Sequence, residues 1–279
     1  MRKAVSLAGS MVLLVGAVLL VAAGACPVNG QILGLGAKPA APVEIPVLQA
    51  PVAGYVFPQR QTLNFAVDWR VFTAGTAVFH LEQVGGVQKV TATADSVGTT
   101  AMLFPVVDAF QSSFDTKTGC SVGFSKQLSE GRRKVSSDLT FDYTTGKQTQ
   151  TEKNLVKGTQ KTLVASIPGC VTDSLSAIFY AASQPMVLGQ PIKFPLADSM
   201  RTVTVAMKVE AKEEIKTPAG TFQTIRVQPT ADEGIVKNRG AIWIWYTDDA
   251  RHMPVQIRVH LSLLLGTITF RLQSVDANK

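Results

Sequence analysis

The stretch AIWIWYTDDARHMPVQIRV, residues 241–259, holds two of the chain's three tryptophans, an acidic pair, an arginine and a histidine. Such a concentration is either a reactive centre or two strands joined by a turn. The spacing supports the second. Ile242, Ile244 and Tyr246 alternate with Trp243 and Trp245, the period of a β-strand, and because both sets are apolar the strand needs cover on both faces. In DDAR, Asp248 or Asp249 is suited to accept from a backbone N–H two residues on, and Arg251 can pair with either carboxylate at the surface. Pro254 then opens the next strand, where its missing N–H is tolerated. The stretch predicts a hairpin, and with it an antiparallel β protein.

Outward from this hairpin, short alternating segments recur. TLNFAVDW (62–69) sets Leu63, Phe65, Val67 and Trp69 on one face; VFTAGTAVFHLEQVGG (71–86) predicts turns at Ala74–Gly75 and Gly85–Gly86. KVTATADSV, AFQSSFDT, SVGFSKQL, SDLTFDYTTGK, TVTVAMKVEAKEEIK, FQTIRVQP, PVQIRVHLSL and GTITFRLQSV read likewise, for about a dozen strands. GRRK (131–134) reads as a solvated hairpin turn. KEEIKTPAGTFQTIRV (212–227) predicts a hairpin turning at Thr217–Gly220, Pro218 presetting φ and Gly220 accepting a positive one. One segment breaks the alternation. TDSLSAIFYAASQP (172–185) offers Thr172 or Asp173 as N-cap and places Leu175, Ile178, Phe179 and Ala182 at helical spacing, predicting a helix of about three turns packed on the sheet. The fold class is all-β and mainly antiparallel: a curved sandwich or partly open barrel with one short helix.

The N-terminus carries an address. Arg2 and Lys3 precede an uncharged apolar run to Ala25 that ends Ala23-Gly24-Ala25, the pattern of an export signal over residues 1–25, with an uncleaved anchor as the rival reading. Removing it takes the charge from +7 to 25 basic against 20 acidic side chains, or +5. No block of five like charges occurs, and nucleic acid is a poor partner for an exported chain. Residues 26–59 form a proline-rich linker with six of the 14 prolines, able to reach ~100 Å if extended. The apolar content of IPVLQAPVAGYVF (45–57) predicts that part of it docks on the domain, which spans residues 60–277.

Three cysteines in an exported chain leave one over after pairing. Cys26, directly after the Ala-Gly-Ala site, is a candidate for lipidation, although Ala23 stands where such signals usually have Leu, and ordinary cleavage is the alternative. Cys120 and Cys170, each following a glycine in a turn-like stretch, are then the natural disulfide pair in an oxidising compartment.

Signatures of chemistry are missing. The three histidines, His80, His252 and His260, have no metal-site spacing with one another or with cysteines. There is no nucleophile elbow, and the doublets Glu213–Glu214 and Asp248–Asp249 split across strand faces or sit in a turn. GLGAK (34–38) lies in the linker without the strand and helix a phosphate loop needs. No catalytic, metal or cofactor residue is assigned.

VDWRVFTAGTAVFHLE (67–82), DSLSAIFYAASQPMVLGQ (173–190), KEEIKTPAGTFQTIRV, IWIWYTDDARHMPVQIRV (242–259) and GTITFRLQSV (266–275) together resemble an exported bacterial family, domain of unknown function 3108. The resemblance covers roughly residues 60–275 and implies an exported, β-rich, barrel-like domain without assigned site residues. Two functions stay open. One is a non-enzymatic binding or assembly module of the periplasm or outer envelope, with lipid or another envelope component as partner and any membrane association through the N-terminus. The other is a hydrolase or transferase acting on envelope glycan or lipid. The absent signatures favour the first. A curled sheet of this many strands predicts an apolar ligand cavity, lined in part by Trp243 or Trp245 and closed by the helix near Leu175 and Phe179.

Overall fold

The structure, a computed structural model, describes residues 45–231, 240–262 and 266–276. The export signal, Cys26 and the first part of the linker lie outside the described residues.

The first half of the chain forms β1 (Arg60–Trp69), β2 (Phe72–Val84), β3 (Val87–Ser96), α1 (Gly98–Leu103), β4 (Val107–Asp115), β5 (Ser121–Glu130), β6 (Arg133–Asp142), β7 (Lys147–Asn154) and β8 (Thr159–Ser166). There follow α2 (Ser176–Ala182), β9 (Pro191–Asp198), β10 (Arg201–Thr217), β11 (Gly220–Ala231), β12 (Ala241–Thr247), β13 (Pro254–Ser262) and β14 (Gly266–Asp276). All the strands belong to one antiparallel sheet, ordered β8-β7-β6-β5-β4-β3-β2-β1-β14-β13-β12-β11-β10-β9. Two hairpin meanders therefore run outward from a seam where β1 pairs with β14. At that seam Phe65 faces Leu272 and Val67 faces Phe270, all buried, so alternation sets the register.

The sheet curls until its ends approach. Gln148 on β7 donates to the Ser199 carbonyl in the β9–β10 turn at 2.9 Å. Val171 and Thr172 link the two halves: the Val171 carbonyl accepts from Ser121 at the start of β5, while Thr172 pairs with β9 through Pro195 and Ala197. The next residues drop α2 inside the curl, where all seven of its residues are buried. Phe179 meets Phe79 of β2, Tyr180 meets Phe194 of β9, and the Ile178 carbonyl accepts from Tyr246 of β12. A helix touched from so many directions is a plug, not a surface stripe.

Several expectations shift. The helix is two turns rather than three, and Asp173 just before it accepts at Oδ1 from the N–H groups of Leu175 and Ser176 at 2.9 Å each, satisfying donors at the helix entry. Ala74–Gly75 is not a turn; both lie within β2, and the chain reverses at Arg70–Val71. Gly75 is there because a Cβ would come within 2.5 Å of the Asp95 carbonyl oxygen on the neighbouring strand. Gly220, at φ +135°, follows a two-residue Pro218–Ala219 turn, as expected. Strands β7 and β8 and helix α1 carry too little apolar alternation to be foreseen, while β9 alternates Ile192, Phe194 and Leu196 but is interrupted by Pro191 and Pro195, which argue against a strand. Residues 45–57 do dock: Leu48 and Phe57 are buried, and Val52 donates to the Ser183 carbonyl at 3.0 Å.

Candidate functional site

The β12–β13 turn closes by hydrogen bonds between Thr247 and Met253 and between His252 and the Asp249 carbonyl. Asp249 Oδ1 accepts from the Thr247 hydroxyl and from the Arg251 N–H two residues on. Partial desolvation would raise its pKa, but the Arg251 guanidinium and these hydrogen bonds hold it below the usual carboxylate value. Asp248 turns the other way and pairs with Lys212 of β10. The acidic pair is thus engaged in turn geometry, with each carboxylate bound to a cation.

Beside this turn, the docked residues 55–59 pass over the mouth of the curled sheet and leave an open cleft of about 240 Å³. Tyr55, Phe57, Leu81, Phe179 and Met253 supply its apolar walls, and Arg251 and His252 its polar rim. His252 has a left-handed backbone (φ 41°), which directs its ring back to α2, with Nδ1 2.8 Å from the Ala182 carbonyl. A carbonyl only accepts, so Nδ1 carries the proton. Tyr55 donates to the Arg251 carbonyl at 3.3 Å, tying strap to turn, and burial pushes its phenol above the ordinary range. Among the described residues lining the cleft there is no Ser, Thr, Cys, Lys, Asp or Glu.

Phe179 lines this cleft; Leu175 is wholly buried nearby and does not. Trp243 and Trp245 alternate with Tyr246, so they occupy the face turned away from α2. Cover over Trp245 comes from charged side chains instead of a second layer. Its indole N–H donates to Glu213 Oε1 at 2.7 Å, Arg258 lies over its ring, and Arg226 bridges Glu210 and Glu213 beside it. Tyr55, Phe57 and Leu81 carried no site signal in sequence beyond the apolar content of the docking segment.

Cys120 and Cys170 form a disulfide with Cα atoms 5.2 Å apart. It ties the β4–β5 turn to the segment before α2, next to a buried cluster in which Ser112 and Ser121 both donate to Asp173 Oδ2.

At the opposite end of the sheet lies a second polar group. Asp108 of β4 and Glu130 of β5 are 1% and 2% exposed, and Asp108 Oδ2 and Glu130 Oε1 have no hydrogen-bond partner among the described residues. Desolvation, reinforced by the neighbouring Glu130 charge, pushes Asp108 up to about 7. Glu130 pairs with Arg133, and burial brings nearby Lys126 down to about 8. Asp108 and Lys126 titrate outside their ordinary ranges, but neither lines the cleft. No cluster of three or more His, Cys, Asp or Glu that could hold a metal occurs among the described residues.

A family model described as Protein of unknown function (DUF3108) matches residues 64–273. No curated protein matches the chain. Among solved structures, a β-barrel-like protein of domain of unknown function DUF1849 from Brucella abortus is similar at 8% identity and a TM-score of 0.53, covering 80% of this chain and 99% of that one. This likeness shows a barrel-like fold. A "putative exported protein with YmcC-like fold" from Bacteroides fragilis matches at 9% identity over 80% of this chain and 99% of that one, with a TM-score of 0.35. A "putative lipoprotein" from Parabacteroides distasonis matches at 14% identity over 79% and 97%, with a TM-score of 0.30.

Proposed function

The chain belongs to the family described as Protein of unknown function (DUF3108), and from that premise we propose that it is a non-enzymatic binding or assembly module of the cell envelope whose cleft holds an apolar group. The lining carries the reading: apolar walls under the strap, with no Ser, Thr, Cys or Lys and no carboxylate among the described lining residues. An oxidising compartment fits the Cys120–Cys170 bridge. At about 240 Å³ the cleft is smaller than the ~300–1,000 Å³ of drug-sized sites, so it suits one acyl chain end better than a bulky lipid. Each buried methylene contributes up to ~0.8 kcal/mol, and about ten would reach micromolar affinity. The alternative, a hydrolase or transferase on envelope glycan or lipid, needs reactive groups within reach of the ligand. Asp108 and Glu130, the carboxylates with unpaired oxygens, are buried at the other end.

Native mass spectrometry of the purified protein and calorimetric titration with laurate test the reading. Saturable binding that Phe179→Ala alters and Glu214→Gln, on the far strand β10, leaves unchanged is the expected result. Absence of both co-purified lipid and saturable heat would discard the ligand and leave assembly as the role.

A further inference from the structure

Successive turns of an antiparallel meander fall at alternate ends of the sheet, and here the two ends differ in chemistry. The cleft end is mixed in charge: its turns expose the acids Asp142, Asp248 and Asp249, the last two paired with Lys212 and Arg251, together with the cations Lys117 and Lys147. The other end carries the β1–β2, β3–β4, β5–β6 and β7–β8 connections, and among the described residues the exposed charges of these connections are basic, Arg132, Lys134 and Lys157 among them. Among the described residues its acids, Asp68, Asp95, Asp108, Glu130 and Asp198, are buried or half-buried.

The same turns display large apolar side chains. Val71 in the β1–β2 turn is 95% exposed, and Met102 and Leu103 on α1 are 86% and 73% exposed. None of the six residues of α1 is buried. Leu155 and Val156 in the β7–β8 turn are exposed as well. These tips form one surface. The Val97 N–H, just before α1, donates to the Ala74 carbonyl of β2; the Phe104 ring after α1 lies against Gly131 of the β5–β6 turn; and Leu155 donates to the Lys134 carbonyl. Apolar side chains projecting from separate turns, with cations between them, are an aggregation liability in water but match a headgroup layer, where apolar tips sink to the acyl boundary and Lys and Arg meet anionic lipid.

We propose that this end of the sheet, the β1–β2 turn, α1 and the β5–β6 and β7–β8 turns, docks on an anionic bilayer surface. The contact is separate from any N-terminal anchor and leaves the cleft at the opposite end facing away from the bilayer. Charge sign selects the lipid: among the described residues the exposed turn charges at this end are positive, whereas those at the cleft end are of both signs.

The test is co-sedimentation of the chain from residue 26 onward, carrying Cys26→Ser so that no acyl group can attach, with vesicles of phosphatidylglycerol and phosphatidylethanolamine or of phosphatidylcholine alone. Binding to the anionic vesicles, weakened by salt, and at most weak binding to the neutral ones is the expected result. Two paired variants separate the components: Met102→Ser with Leu103→Ser, and Arg132→Gln with Lys134→Gln. Each should weaken binding about tenfold or more while leaving the melting temperature unchanged, since these side chains are exposed. The proposal is overturned if the parent chain ignores anionic vesicles, or if both variants bind as it does. It is also overturned if the parent self-associates without lipid and the Met102→Ser, Leu103→Ser variant stays monomeric, which would make the surface a contact between copies. Laurate binding at the cleft is measured on the same variants, and its retention keeps failure here distinct from failure of the cleft reading.

Discussion

The Tyr246 hydroxyl donates to the Ile178 carbonyl at 2.9 Å, joining strand β12 to the helix inside the sheet. Tyr246 is fully buried, and desolvation holds its phenol protonated far above the ordinary range. The bond is what anchors the middle of α2 to the sheet wall.

Tyr246→Phe keeps the ring and removes this donor. It should lower stability by about 1–2 kcal/mol, the cost of a lost buried hydrogen bond, read from urea denaturation. A midpoint equal to that of the parent would mean that the helix is held by packing alone.

Gly220 sits at φ +135° with open space where a Cβ would point. The penalty of Gly220→Val is therefore backbone strain without a clash, roughly 1–3 kcal/mol, and Gly220→Ala should cost a similar amount. If valine were much worse than alanine, side-chain crowding would be the cause instead.

Reducing the Cys120–Cys170 bridge, 50 residues apart in sequence, releases a large loop in the unfolded chain and should remove about 4 kcal/mol in the chain-entropy model. The comparison is a denaturation curve with and without reductant, with the Cys120→Ser, Cys170→Ser double variant as control. Coincident curves would assign the bridge no thermodynamic role.

Asp108 binds its proton more tightly folded than unfolded, because burial and Glu130 raise it to about 7 from an ordinary value of 3.8. The native state therefore holds the extra proton between about pH 4 and pH 7. Stability contributed by this group falls as pH rises through that window, by at most about 1.4 kcal/mol per pH unit. Asp108→Asn abolishes that slope, so the variant should gain on the parent as pH rises from 4 to 7.5. Parallel stability profiles for the two proteins would rule out Asp108 as the titrating group.

The hairpin of β12 and β13 was readable because its information is local: alternation, an Asp able to cap its own turn, and a proline at a strand start. The same reasoning misses β7, whose inward face is built from Gln148 and Gln150 in place of aliphatic side chains. It also misses α1, which buries nothing and so leaves no stripe. Helical spacing places Phe179 on the helix, and the structure sets it in the wall of the cleft. Its partners in the cleft, Tyr55, Leu81 and Met253, come from three distant parts of the chain, and no spacing rule connects them.

By itself the sequence determined the fold class, the hairpins and the helix, because strand period, turn chemistry and helical spacing act over a few neighbouring residues. Only the tertiary structure decided which face of β12 looks inward. Both faces are apolar in sequence, and the choice rests on long-range partners: Tyr246 reaches the carbonyl of α2, while Trp245 lies beneath Arg226, Glu213 and Arg258 from other strands. The burial of Asp108 against Glu130 and the gathering of exposed apolar and basic turn residues at the end away from the cleft are likewise consequences of how the sheet curls. Desolvation and surface charge depend on what surrounds a group in space, and adjacency along the chain does not specify it.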